Sequence, residues 1–190
     1  QDWTQTPVTI NMNDVPGIGE YYFSDGSWGT LSDRANATVN PIGIVFSNTT
    51  SANDKAHGWT HGYAMALTNA NTSCTWGRTY TTENNVDVLK DGKVNYTYQW
   101  YNNEIYTSFI TDKDGYCETH AISSTRTSSS SNYPAFYYAL NYSVTAPSGS
   151  RGWYLPSIGQ WWDILTNLGS MSTTVTNNGA GWCRWYEHDT

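Results

Sequence analysis

The stretch RGWYLPSIGQWWDILTNLG, residues 151–169, constrains the fold more than any other part of the chain. Ser157 reads as an N-cap, whose hydroxyl can accept a hydrogen bond from an orphan N–H of a first helical turn. Gln160 lies three residues on, where its amide can reach back to the Ser157 N–H and complete a capping box. Pro156 keeps the preceding backbone extended and prevents an earlier helix start. Gly169 supplies a left-handed stop. Between these ends Trp161, Ile164, Leu165 and Leu168 recur at helical spacing and form one apolar stripe. Trp153 and Leu155 alternate just before it, as in a short strand leading into a helix. This pattern assigns Trp153 and Trp161 to the core. Trp162 sits off the centre of the stripe, where partial exposure is expected.

Upstream, several segments read as strands. In residues 1–13, Val8, Ile10 and Met12 alternate with Thr9 and Asn11, giving a one-faced strand. No turn signal follows it until Pro16-Gly17, so it need not pair with its sequence neighbour. Residues 20–31, EYYFSDGSWGTL, suit a hairpin with a tight primed turn at Asp25-Gly26. PIGIVFS, 41–47, is a continuous apolar run and reads as a buried strand. HGYAMALTNA, 61–70, is expected to be a mostly buried strand beside it. Residues 86–102 mix short helical periodicity with a break at Asp91-Gly92. Residues 103–132 are polar, end in ISSTRTSSSSN, and read as a long loop. SNYPAFYYALNYS, 131–143, reads as a helix with Pro134 in its first turn and Phe136, Leu140 and Tyr137 facing inward. The chain therefore divides into an N-terminal strand or arm, 1–19, and one domain, 20–190.

Composition limits the partners. Charged residues make up 13% of the 190 and aromatics 15%, with 10 Trp and 15 Tyr. Polarity comes instead from Asn, Ser, Thr and Gly, as in secreted and surface-displayed domains. The net charge of −7 argues against nucleic acid, because little here would neutralise phosphates. No apolar run approaches the roughly 20 residues of a membrane span, so no membrane insertion is expected. No signal-peptide pattern begins the sequence, as in a mature secreted chain.

Motifs for catalysis are absent: no nucleophile elbow, phosphate loop or dinucleotide fingerprint occurs. Asp112, Asp114 and Glu118 surround Gly115 in DKDGYCE, but an EF-hand loop needs more acidic positions, and an exposed turn is the better reading. His57 and His61 have the i,i+4 spacing of a zinc pair only on a helix, which Gly58 and Gly62 oppose. Cys74, Cys117 and Cys183 are an odd count, compatible with one disulfide plus a thiol or with three buried thiols. No catalytic residue, metal ligand or cofactor is assigned.

SDGSW, PIGIVFS, HGYAMALTNA, the helix at YPAFYYALNYS and GWYLPSIGQWWDIL, in that order, resemble Bacteroidetes fimbrillin-type and related extracellular surface proteins with a C-type-lectin-like domain. The Trp-x-Leu-Pro-Ser step also resembles the formylglycine-generating-enzyme branch of that fold. The likeness covers roughly residues 20–170, about one domain. It implies an α+β fold: a small twisted, mainly antiparallel sheet, two packed helices, and long loops that carry recognition. Two departures are visible. Little chain follows Gly169, so the last strands are expected to be short, missing or supplied by another chain. The calcium-site triplets of sugar-binding lectins are lacking, so calcium-dependent sugar binding is not implied.

Tyr, Trp, Ser and Asn are the palette of evolved binding loops. The candidate ligand-binding residues are Trp100, Tyr101, Asn102, Asn103, Tyr106, Trp182, Trp185 and Tyr186. The expected function is a non-catalytic extracellular binding or adhesion module of a bacterial surface protein or appendage, taking a glycan or protein ligand. One alternative is a filament subunit, a homo-polymer in which Val8, Ile10 and Met12 complete a neighbour's sheet. A second is a formylglycine-generating-type enzyme, which would require cysteine redox chemistry.

Overall fold

The structure is a computed structural model that describes residues 15–32, 38–76, 111–126 and 128–169. Its centre is β3 (Pro41–Ser47), the continuous apolar run. Ile42, Gly43, Val45, Phe46 and Ser47 are all buried there, and β3 is an inner strand with both edges paired. β1 (Tyr21–Phe23) and β2 (Trp28–Gly29) precede it, and β4 (Tyr63–Ala66) follows. The strand order is β2-β1-β3-β4, antiparallel throughout. The expected neighbours 41–47 and 61–70 do pair, although β4 is shorter than its segment and only Tyr63 is fully buried in it.

The β1–β2 hairpin forms by a different turn from the primed one expected. Gly26 N–H donates to Phe23 O at 2.9 Å and Phe23 N–H to Ser27 O at 2.9 Å. Of Asp25 and Gly26, only Gly26 has positive φ, +88°. This is a three-residue bulged loop, which needs one left-handed residue where a primed turn needs two.

Four helices occur among the described residues: α1 (Ala52–Ala56), α2 (Gly115–Arg126), α3 (Pro134–Leu140) and α4 (Ile158–Asn167). α3 and α4 are the two expected. α2 overturns the long loop read over 103–132. Its apolar stripe is too weak to read, because it docks largely through polar groups. Thr119, fully buried, donates through Oγ1 to Leu155 O at 3.1 Å and accepts from Leu155 N–H at 3.0 Å. Ile122 then joins Tyr133 and Phe136 in one core cluster, with Leu155 packed on it. Phe136 is buried as expected, while Tyr137 and Leu140 are half-buried.

A second cluster joins the sheet to α4 through Phe46, Tyr63 and Ile164, with Met65, Tyr154 and Leu168 at its margin. Asn167 Nδ2 donates to Phe46 O at 2.9 Å and fixes the far end of the helix on β3. The helix thus lies on the sheet, but rotated from the expected stripe. Trp161 is 43% exposed and Trp153 half-buried, so neither is the core residue that spacing suggested. The reason is Gln160. Its amide oxygen accepts from Ser157 N–H at 3.0 Å, and its Nε2 donates to Tyr154 OH at 2.9 Å. Its side chain is therefore drawn fully inside. Successive helical residues are about 100° apart, so seating Gln160 turns Trp161 outward.

Gly115 makes that seat close. A Cβ there would collide with Gln160 Oε1 and Ser157 N, and would lie 2.8 Å from Leu155 O. The start of α2 therefore packs directly on the capping box of α4. Ser157 Oγ donates to Asp112 O at 2.7 Å across the same junction. Lys113 Nζ donates to Gly159 O at 2.7 Å and pairs with Asp163 at 2.7 Å.

Candidate functional site

Residues paired directly across strands share a face of the sheet. The pairs Trp28–Tyr22, Tyr22–Gly43 and Gly43–Ala66 therefore set one row across all four strands. Val45 and Ala64, paired two residues along, lie on the same face. The row passes from two large rings at the β2 side to small side chains at β4. The opposite face carries Met65 towards α4. Along the β4 edge runs an open groove of about 730 Å³, within the size range of ligand sites, which takes its lining from both faces, Ala64 and Ala66 on the first and Met65 on the other.

Tyr22, Trp28, Ala64 and Ala66 contribute one side of this groove. The other side comes from Tyr138 of α3, from Tyr142 just beyond it, and from the 146–153 loop with Trp153. Tyr142 is bonded to the Thr68 hydroxyl and stands edge-on to Trp153, with centroids 5.3 Å apart. Trp153 Nε1 donates to Val144 O at 2.8 Å, which fixes the indole at the base of the loop. Burial pushes the Tyr22 phenol above its ordinary range. Trp161 lines the groove as well.

One end of the groove is closed by a charged assembly. The Arg151 guanidinium pairs with Asp54, the two side chains being 8% and 2% exposed. It also lies 3.9 Å from the centroid of Trp59 and 3.6 Å from that of Tyr116. His57 stacks on Trp59 at 5.2 Å, and His120 lies 4.2 Å from Tyr116. Asp54 also accepts from Tyr63 OH at 2.6 Å, and Tyr63 OH accepts from Ser51 N–H at 2.8 Å. Burial raises the Tyr63 phenol and, far more strongly, that of Tyr154. Both therefore act here as neutral hydrogen-bonding groups. This network joins α1, β4, α2 and the 146–153 loop.

Cys117, half-buried, accepts from Asn53 Nδ2 at 2.8 Å. Burial pushes its thiol up, opposite to the shift that generates a reactive thiolate. Cys74 is an exposed thiol lining the groove. The two therefore do not form a disulfide with each other, and the exposure of Cys74 removes the reading of three buried thiols. Cys183 lies outside the described residues. Asp112, Asp114 and Glu118 do not form an exposed turn. Asp112 Oδ1 accepts from Asp114 N–H at 3.2 Å and Asp114 O from Glu118 N–H at 3.1 Å, so the segment launches α2. His57 and His61 diverge, His57 onto Trp59 and His61 onto Trp28. Among the described residues no group of His, Cys, Asp and Glu has the makings of a metal site.

The ligand-binding residues expected from sequence, Trp100, Tyr101, Asn102, Asn103, Tyr106, Trp182, Trp185 and Tyr186, all lie outside the described residues. So do Val8, Ile10 and Met12. Sequence reasoning missed the groove itself, because Trp28, Tyr142 and Trp153 are brought together only by strand pairing and loop closure. It also missed Arg151, whose one available signal was its place at the head of the tryptophan-rich motif. No family model, curated protein or solved structure matches this chain.

Proposed function

We propose that this chain is a non-catalytic, extracellular binding module of a bacterial surface protein or appendage, on a C-type-lectin-like scaffold, and that it holds a glycan in the aromatic groove. The observation that carries this reading is the groove. Indole and phenol rings line it beside hydroxyl and amide groups of Thr60, Asn69 and Ser148. Sugar rings present apolar C–H faces and polar edges, and this lining is complementary to both. The rings are held on strands and a pinned loop, so little ordering entropy is lost when a ligand enters. Glycan-microarray binding of the full chain tests the reading. Discrete binding that Trp153→Ala weakens at least tenfold is expected. A folded chain that retains no glycan would remove the proposal.

A second reading, a filament subunit assembled through its N-terminal strand, is favoured by the position of β4. It is the outer strand of the described sheet, and the groove runs beside it. A neighbour's strand with alternating Val8, Ile10 and Met12 could extend that edge and place its apolar side chains on one face. Deleting residues 1–13 should abolish assembly seen by light scattering and leave a folded monomer. Unchanged assembly would eliminate this mode.

A further inference from the structure

We infer that the groove selects an uncharged glycan over an acidic one and grips it by ring stacking, with Trp161 as the most accessible platform. This rests on the glycan-binding reading above and adds the ligand's charge class and the rings that hold it.

The charge class follows from where the cations are committed. Among the described residues, Arg151 and His61 are the basic side chains lining the groove. Carboxylated or sulfated sugars are best held by a guanidinium that offers its fork of N–H donors to the ligand. Arg151 cannot do this without leaving its place. It is 8% exposed, bonded to Asp54, and covered by Trp59 and Tyr116. His61 lies against the Trp28 ring at 5.1 Å. Asp54 cancels Arg151, and Asp25 adds a carboxylate to the lining. The whole chain carries −7. Among the described residues an acidic ligand would therefore meet carboxylates with no guanidinium released to pair with it, while a neutral one would meet no such repulsion.

The platforms follow from which rings are already covered. Trp59 has Arg151 over its ring and His57 stacked on it. Tyr116 is in contact with Arg151, His120 and Tyr154. Trp28 and Trp153 are half-buried with ring area on the groove, and Trp161 keeps 43% of its surface in solvent. Stacking on such a ring is worth several-fold to more than a hundredfold in affinity, by analogy with base–aromatic stacking.

Isothermal titration of the full chain tests this with hexasaccharides of matched length. The neutral probes are cellohexaose, chitohexaose and mannohexaose; the acidic ones are hexagalacturonate and a sulfated heparin hexasaccharide. At least one neutral probe should bind, at least tenfold more tightly than either acidic probe. Its affinity should change less than twofold between 50 and 500 mM salt. Trp161→Ala should weaken it at least tenfold, and Trp161→Tyr should restore most of it. Since Trp161 lies on the surface, the folded state survives this change, as circular dichroism will check. Tighter binding of an acidic probe would overturn the charge assignment while leaving glycan binding intact. Neutral binding indifferent to Trp161→Ala would overturn the platform assignment. Binding of none of the five would overturn the inference together with the reading beneath it.

Discussion

At the arginine cage, Trp59 carries His57 at 5.2 Å and the Arg151 guanidinium at 3.9 Å, whereas Trp161, four residues into α4, leaves 43% of its surface in solvent. The two indoles show how one residue type serves opposite ends. In the cage, ring faces replace the water that a buried guanidinium loses, and Asp54 supplies the counter-charge. That region holds separate chain segments together, and its rings are already in contact with Arg151, His57 and His120. Along the groove, rings are placed by backbone pairing and by their N–H and O–H groups, which leaves ring surface exposed. Aromatic richness by itself therefore does not mark a binding surface. The distinction is whether another protein group already covers the ring.

The contrast can be broken most forcefully at Arg151. Arg151→Ala leaves Asp54 buried without its partner and should cost about 3–5 kcal/mol in urea unfolding. A loss below about 1 kcal/mol would mean that the cage is not structural. Trp59→Ala should cost roughly 2–4 kcal/mol, from lost packing and lost cation–π contact. Trp161→Ala should stay within about 0.5 kcal/mol, as for other surface changes. Equal losses for the two tryptophans would erase the distinction. Gly115→Ala drives a methyl group into Gln160 and the backbone of 155–157, and should cost about 1–3 kcal/mol. Its thermal midpoint should fall without any change in the ring faces of the groove.

The smallest effect concerns His120, which packs on the outer side of the cage. Burial lowers its pKa below the ordinary histidine value, so the folded protein binds that proton less readily than the unfolded chain. Stability contributed by neutral His120 is present above pH 6.5 and is lost as pH falls from there towards the lowered value. His120→Gln should flatten the thermal midpoint between pH 7 and 5.5 relative to the parent. An identical slope in both proteins would exclude this residue as the source.

Much of the scaffold was legible before any coordinates. β3 and its pairing with β4, the 20–31 hairpin, α3 with Pro134 in its first turn, and the Ser157 start of α4 follow from periodicity and turn chemistry, whereas α4 ends without the left-handed glycine expected at Gly169. The hairpin, α3 and the start of α4 rest on interactions within about ten residues, which sequence patterns encode directly, while β3 and β4 read as neighbours because both are largely apolar runs. α2 was not legible, because Thr119 docks through hydrogen bonds to Leu155, a partner 36 residues away. The rotation of α4 was missed for a related reason. The capping-box spacing of Gln160 is visible in the sequence, whereas its full burial depends on Tyr154 and Gly115.

The sequence by itself determined the local features of this protein: β3, the 20–31 hairpin, α3 and the start of α4, a wealth of rings, and too little positive charge to hold polyanions. Tertiary structure decided which rings are covered and which are left open. That choice depends on contacts between distant segments, such as Arg151 with Asp54 and Tyr22 with Gly43, and no local pattern specifies them. Rotation by one helical position was enough to exchange a polar residue for a tryptophan at the surface, because neighbouring helical side chains point about 100° apart.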